Sequence, residues 1–307
     1  SLPTVINLTG SQSVTVSQTA DGINGLDLNN NLSAGTATVA INNAATAAVV
    51  ATAIAADNFI VEADAAFDSG QEITVATGAL FTVAADQTGF DVVGSAASAT
   101  INIATADDTA ANGTPILIEM DDIVASSTIT TVNINATAGA FDADSIILAT
   151  TGALNLAGTQ NFDLGNATAA SVTSVTTGTV TLNTANASLD AITTGSGADN
   201  LTLDEGTAVM VLASGAGNDT VSAGNAAASQ YDLGLGNDQI TLTNANSGVI
   251  AAGDGDDLII TDQATDMIIA GGDGSDTLRI TGSSNVNVSG KTNFALSSID
   301  TINLSAA

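Results

Sequence analysis

Histidine, cysteine and tryptophan are absent from this 307-residue chain, and only Arg279 and Lys291 are basic. Each absence excludes something. Without cysteine there is no disulfide framework, and the redox compartment cannot be read from one. Without histidine or cysteine the usual nucleophile–base pairs of covalent catalysis have no members. Two cations cannot neutralise a phosphate backbone, which excludes nucleic acid, and they offer no basic face to an anionic membrane. A β-helical polysaccharide lyase would want a basic residue as its base. Seven Phe and one Tyr leave little to stack on sugar rings. We read the chain as a non-enzyme. The longest apolar-looking run, Ala44 to Ala56 (AATAAVVATAIAA), is too short to span a bilayer and reads as an Ala-rich helix or a buried strand pair; no membrane insertion is expected.

Acid is abundant. The 32 carboxylates set the formal net charge at −30, and salt bridges cannot balance it. Self-repulsion on that scale destabilises a compact state unless something screens it, and metal ions are the natural candidate. Yet the chain lacks a disordered composition, since 45% of residues are hydrophobic and only 11% charged. A core of Val, Ile, Leu and Ala with few aromatics suits thin, stacked β-layers.

A repeat decides the architecture. TGSGADNLT (194–202), SGAGNDTVS (214–222), LGLGNDQIT (233–241), AGDGDDLII (252–260) and GGDGSDTLR (271–279) share one form, x-G-x-G-x-D-x-U-x with U apolar. Their aspartates are Asp199, Asp219, Asp238, Asp257 and Asp276, one step of twenty followed by three of nineteen. Apolar pairs alternate before each turn (Met210/Leu212, Tyr231/Leu233, Ile250/Ala252, Met267/Ile269) and after it (Leu201/Leu203, Ile240/Leu242, Leu278/Ile280). Period-two alternation means strands with one face inward. Two short strands and two turns in each repeat predict one coil of a parallel β-solenoid, an all-β fold.

The glycines permit a tight turn whose main-chain carbonyls point to one side, and the aspartate adds a carboxylate there. Ca²⁺ takes six to eight oxygen ligands, more than one turn supplies. Two stacked turns can sandwich an ion, so five turns predict about four sites in one row.

This array resembles the repeats-in-toxin (RTX) nonapeptide family, whose turns bind Ca²⁺ in a parallel β-roll. The resemblance covers about residues 194–280. It implies metal binding by the five aspartates with the turn glycines Gly195/Gly197, Gly215/Gly217, Gly234/Gly236, Gly253/Gly255 and Gly272/Gly274. The residues between them, Ser196, Ala216, Leu235, Asp254 and Asp273, belong to the same site turns. The first family glycine survives only at Gly271, with Thr194, Ser214, Leu233 and Ala252 elsewhere. The opposite turns read DEGTA, GNAAAS, TNANS and DQATD, so one ion row is expected rather than two.

Beyond the last turn, GKTNFA (290–295) keeps Gly290 but has Ala295 in place of aspartate, which predicts a metal-free sixth coil. Val286 and Val288 would face inward there, Lys291 would lie beside the last acidic turn, and Asp300 would lie outside the turns. The predicted organisation is an irregular β-rich module (1–95), a calcium-poor β-solenoid (96–190) and a calcium β-roll with a capping coil (191–307). Asp27–Leu32 (DLNNNL) mimics an EF-hand start without its glycine and reads as a polar turn. Asn285–Thr292 (NVNVSGKT) ends like a phosphate-binding loop by coincidence.

The chain looks like the assembly domain of a bacterial S-layer protein with RTX-type repeats. That likeness implies an extracellular, cell-surface protein, exported by type I secretion, that assembles with itself into a calcium-stabilised sheet or filament. Asp107/Asp108, Asp121/Asp122 and Asp142/Asp144 are candidates for inter-subunit calcium. The alternative is a secreted calcium-binding biofilm-matrix or adhesin module, with cell-surface polysaccharide as partner.

Overall fold

The computed structural model describes residues 4–42, 49–51, 54–62, 68–75, 80–84, 87–94, 100–105, 117–124, 130–137, 140–148, 152–184, 189–203, 209–224, 227–243, 247–262, 267–281 and 295–304. They form parallel strands and a single four-residue helix, Ala20–Ile23, which Thr19 caps by accepting the Gly22 N–H. Among the described residues no helix is long and apolar enough to cross a membrane. The chain divides into two compact units, 1–165 and 166–307.

The second unit is the β-solenoid that the repeat predicted. One parallel sheet runs in the order Ser171–Ser174, Ala191–Thr193, Val211–Ala213, Ala227–Asp232, Ser247–Asp254, Met267–Asp273, Ala295–Ser297. The chain alternates between it and a second parallel sheet of Val180–Thr184, Asn200–Leu203, Thr220–Gly224, Gln239–Thr243, Leu258–Thr261, Thr277–Ile280 and Thr301–Leu304. Register follows the repeat, so Leu212, Tyr231, Ile250 and Ile269 stack in one inward row. Leu201, Val221, Ile240, Ile259 and Leu278 stack in another. All nine are buried. Stacking like on like buries each side chain between its equivalents in neighbouring coils, which suits β-branched residues and Leu and leaves no place for a thick aromatic core.

The first unit is built the same way with uneven coils. Inward partners run Val16, Val39, Phe59, Phe81, Ile103, Ile134 and Leu156. The longest step along the chain, from Ile103 to Ile134, is half as long again as the shortest, from Val39 to Phe59. Within residues 1–95 the steps are nearly equal, and the period is invisible in sequence because no recurring glycine–aspartate turn marks each coil. Outward-facing Asn102, Asn133 and Asn155 form a side-chain ladder, each Nδ2 donating to the previous Oδ1 at 2.8 Å.

Two expectations change here. Asp27–Leu32 is no turn but part of the strand Leu26–Leu32, paired with Thr4–Gly10. Leu26 and Leu28 face inward, while Asn30 bonds Asp57 through Nδ2 and its Oδ1 accepts the Leu32 N–H, so this asparagine is satisfied without leaving extended geometry. In the Ala44–Ala56 run, the described part is extended rather than helical: Val49–Val50 is a strand and Ile54 bridges Leu28, but Val50 is exposed, so the strand is not the buried pair expected.

Candidate metal centre: a buried aspartate ladder

Each x-G-x-G-x-D turn connects the two sheets of the second unit. The turn itself pairs with its neighbours through the main chain. The Gly195 carbonyl accepts from the Ala216 N–H (3.0 Å), that of Gly215 from Leu235 (2.9 Å) and that of Gly234 from Asp254 (2.8 Å). In return the Leu235, Asp254 and Asp273 carbonyls accept the N–H groups of Gly217, Gly236 and Gly255 at 2.7–2.8 Å. The coils approach so closely here that a Cβ on Gly215, Gly217, Gly234, Gly236, Gly253, Gly255, Gly272 or Gly274 would overlap a carbonyl of the preceding coil. All eight have φ between +94° and +136°. Gly195 and Gly197 meet the same crowding, against the Thr176 and Gly178 carbonyls. At those eight positions glycine is required twice over, by backbone angle and by space.

The residues between the glycines turn outward: Ser196, Leu235, Asp254 and Asp273 are exposed and Ala216 is half-buried. The aspartates turn inward. Asp199, Asp219, Asp238, Asp257 and Asp276 are at most 2% exposed. They form a ladder in which each Oδ1 accepts the main-chain N–H one coil earlier. Asp199 accepts from Val180 (2.7 Å), Asp219 from Asp199 (2.8 Å) and Asp238 from Asp219 (2.7 Å). Asp257 accepts from Asp238 (2.8 Å) and Asp276 from Asp257 (3.0 Å). The second oxygen, Oδ2, is buried at all five rungs with no hydrogen-bond partner. Thr194 and Ser214 place hydroxyls beside the first two rungs, but each spends its hydrogen on the next coil, on the Ser214 carbonyl (2.7 Å) and the Leu233 carbonyl (2.9 Å).

This row is costly as anions. Adjacent rungs lie about 4.8 Å apart, where unit charges repel by roughly 3 kcal/mol at an effective dielectric near 20. Over four neighbouring pairs the sum is on the order of 10 kcal/mol, as large as the stability of a whole domain. Burial pushes all five pKa values up; the accepted N–H groups oppose it without overcoming it. Asp219 rises from 3.8 to about 6. Asp238, buried and with charged neighbours on both sides, rises to about 7. A row like this either holds protons or takes up cations.

The donor set fits a hard divalent cation. Unpartnered carboxylate oxygens in series are the ligand type Ca²⁺ selects. The glycine carbonyls that accept one coil-to-coil bond each retain a second lone pair. Among the described residues no three acidic side chains converge on one point. A site must therefore combine carboxylates from adjacent rungs with main-chain oxygen, the combination the turn sequence implies.

The capping coil differs from its expectation. Residues 282–294, including Val286, Val288, Gly290 and Lys291, lie outside the described residues. Ala295 opens a strand of the first sheet, with Leu296 opposite Ile269, so it does not replace an aspartate. The sixth rung is Asp300. Its Oδ2 accepts the Asp276 N–H at 2.9 Å, and Thr301 pairs with Thr277 as the next strand begins. Counting by nineteen missed it because the step from Asp276 is 24 residues. The available signal was the triplet Asp-Thr-φ, with φ apolar, shared by Asp219-Thr220-Val221, Asp276-Thr277-Leu278 and Asp300-Thr301-Ile302.

A second, outer ladder was also missed. Asn237 N–H donates to Asn218 Oδ1, Asp256 to Asn237 and Ser275 to Asp256, each at 2.9 Å and exposed. Of the acidic pairs outside the repeat, Asp107/Asp108 and the side chains of Asp121, Asp122 and Asp144 fall outside the description, while Asp142 is half-buried. No family model, no curated protein and no solved structure matches this chain.

Proposed function

We propose that this chain is a structural extracellular protein whose aspartate row takes up Ca²⁺, and that the calcium-loaded solenoid assembles with itself into a surface array. The observation that carries this is the buried row itself: five unpartnered carboxylate oxygens in a chain with two basic residues. Ca²⁺ bound between rungs supplies the positive charge that the sequence lacks. The coils hold the carboxylates, the glycines allow the close approach, and the outer faces remain free for contacts.

Extracellular calcium sites have Kd values of about 10⁻⁴–10⁻³ M. At ten times Kd each site contributes about 1.4 kcal/mol, so four give roughly 6 kcal/mol. On this reading the second unit is unstable in calcium-poor cytoplasm and folds after export. Self-assembly is supported by an outward row on the first sheet of that unit. Val211, Val249 and Ile268 are 47%, 41% and 43% exposed. Gln230 separates Val211 from Val249, and Ala295 follows Ile268. An aligned apolar row is a contact surface in a way that scattered exposed residues are not.

Electron microscopy tests the array. Ordered sheets or filaments in millimolar calcium, dispersing in a chelator, are expected; single particles under both conditions contradict self-assembly.

A further inference from the structure

The last turn of the second unit has lost the repeat signature and still gathers oxygen. Its residues are Ser298, Ile299 and Asp300, between the strands Ala295–Ser297 and Thr301–Leu304. Two donors meet there, and a third, exposed at the surface, lies on the next rung. Asp276 Oδ2 is fully buried and has no hydrogen-bond partner. The Ser298 carbonyl approaches the same place, because a Cβ at Gly271 would overlap both that carbonyl oxygen and Asp276 Oδ2. Two oxygens that overlap one carbon centre are close enough to share a cation held about 2.4 Å from each. The third donor is Asp300, fixed against Asp276 through the 2.9 Å bond from the Asp276 N–H to its Oδ2.

The backbone bears this out. Ser298 has φ +50°, the sole non-glycine residue with positive φ among the described ones. By strand register Ser298 lies opposite Gly271, so its carbonyl enters the turn beside Asp276. Gly271, at the position occupied by Thr194, Ser214, Leu233 and Ala252 in earlier turns, is the one residue that leaves room for the two oxygens.

We propose that Asp276, Asp300 and the Ser298 carbonyl form a terminal divalent-cation site, one rung beyond the repeat. The proposal rests on the aspartate row being a cation row, and it adds a site that the x-G-x-G-x-D pattern does not encode. The terminal ion would tie the last coil to the stack across the stretch between Ile280 and Ala295, which carries no repeat.

Calcium binding by the full chain, counted by calorimetry, tests it. Asp300→Asn keeps an oxygen for the Asp276 N–H and removes the charge; it should bind one ion fewer than the unaltered chain. Ser298→Gly keeps the carbonyl and should bind the full number. An unchanged count in Asp300→Asn, with Asp238→Asn losing ions, overturns the terminal site and leaves the row standing. No calcium uptake by the unaltered chain overturns both. Hydrogen exchange gives a reading that no variant can spoil by failing to fold. Calcium should slow exchange of the Asp276 and Thr301 amides along with those of the inner rungs; protection that ends at Asp257 overturns the site.

Discussion

Asp238→Asn separates a cation row from a plain ladder of hydrogen bonds. Asp238 is the central rung, 2% exposed, with Asp219 and Asp257 on either side. With its pKa raised from 3.8 to about 7, keeping it ionised in the metal-free fold at pH 7 costs about 4 kcal/mol relative to the unfolded chain. Asparagine retains an oxygen for the Asp219 N–H and removes the charge. It also buries an amide donor where Oδ2 had no partner, at a cost of about 1–3 kcal/mol. The net expectation in EDTA at pH 7 is a gain of about 1–3 kcal/mol. Calcium changes the outcome. Removing the central carboxylate disables the gaps on both sides of it, so the stabilisation by calcium should fall from roughly 6 to roughly 3 kcal/mol. Circular dichroism gives both numbers, with urea unfolding in millimolar calcium and refolding by a stabilising osmolyte in EDTA, where the second unit is expected to be unfolded. A variant that is less stable in EDTA, yet gains as much from calcium as the unaltered chain, would instead make the aspartates neutral structural acceptors.

Further outcomes follow from the same geometry. In EDTA, raised folded pKa values mean that the stability from Asp219 and Asp238 is complete below pH about 4 and is lost as pH rises through about 6 and 7. Thermal melts should therefore drop across that window without calcium; a melting temperature rising with pH there contradicts the ladder's burial. Gly236→Ala puts a methyl against the Gly217 carbonyl at φ +129° and should cost about 3 kcal/mol or more. Gly224→Ala, whose nearest obstacle is Thr243 Oγ1 at 3.8 Å, should change stability by no more than about 0.5 kcal/mol. Equal costs for the two in urea unfolding would show that the coils do not approach as described. Asn237→Ala removes the acceptor for the Asp256 N–H in the outer ladder and should cost about 0.5–1.5 kcal/mol. Calorimetry should find its calcium count unchanged, since Asn237 is exposed, uncharged and outside the inner row's hydrogen bonds.

Where coil length is constant, the sequence is nearly a diagram of the second unit. Asp199 to Asp276 recur at an almost fixed interval, and the apolar pairs beside them are the buried rows. Asp300 was hidden because the unpatterned stretch 281–294 shifts it out of phase, so register there is set by strand pairing rather than by count. Residues 1–95 were opaque because no recurring glycine–aspartate turn marks their coils, although the steps Val16 to Val39, Val39 to Phe59 and Phe59 to Phe81 are nearly equal. Parallel pairing tolerates steps as unequal as Val39 to Phe59 and Ile103 to Ile134. The strand Leu26–Leu32 was disguised by three asparagines, and the side-chain bonds of Asn30 compensate for low strand propensity. Glycine spacing announced a tight turn. It did not announce that the turn carbonyls bond across coils, or that each aspartate gives one oxygen to a main-chain N–H and keeps the other unpartnered. Those facts depend on how two coils sit on each other, which no single turn encodes.

If Ca²⁺ holds the buried carboxylates of this solenoid together, folding of the second unit and calcium uptake are one event. Circular dichroism of the full chain at pH 7, begun in excess EDTA and titrated with calcium alongside calorimetry, tests it most directly. A cooperative gain of β signal is expected, with about four or more ions bound per chain. A full β signal already present in EDTA, unchanged by calcium and accompanied by no heat of binding, would contradict it.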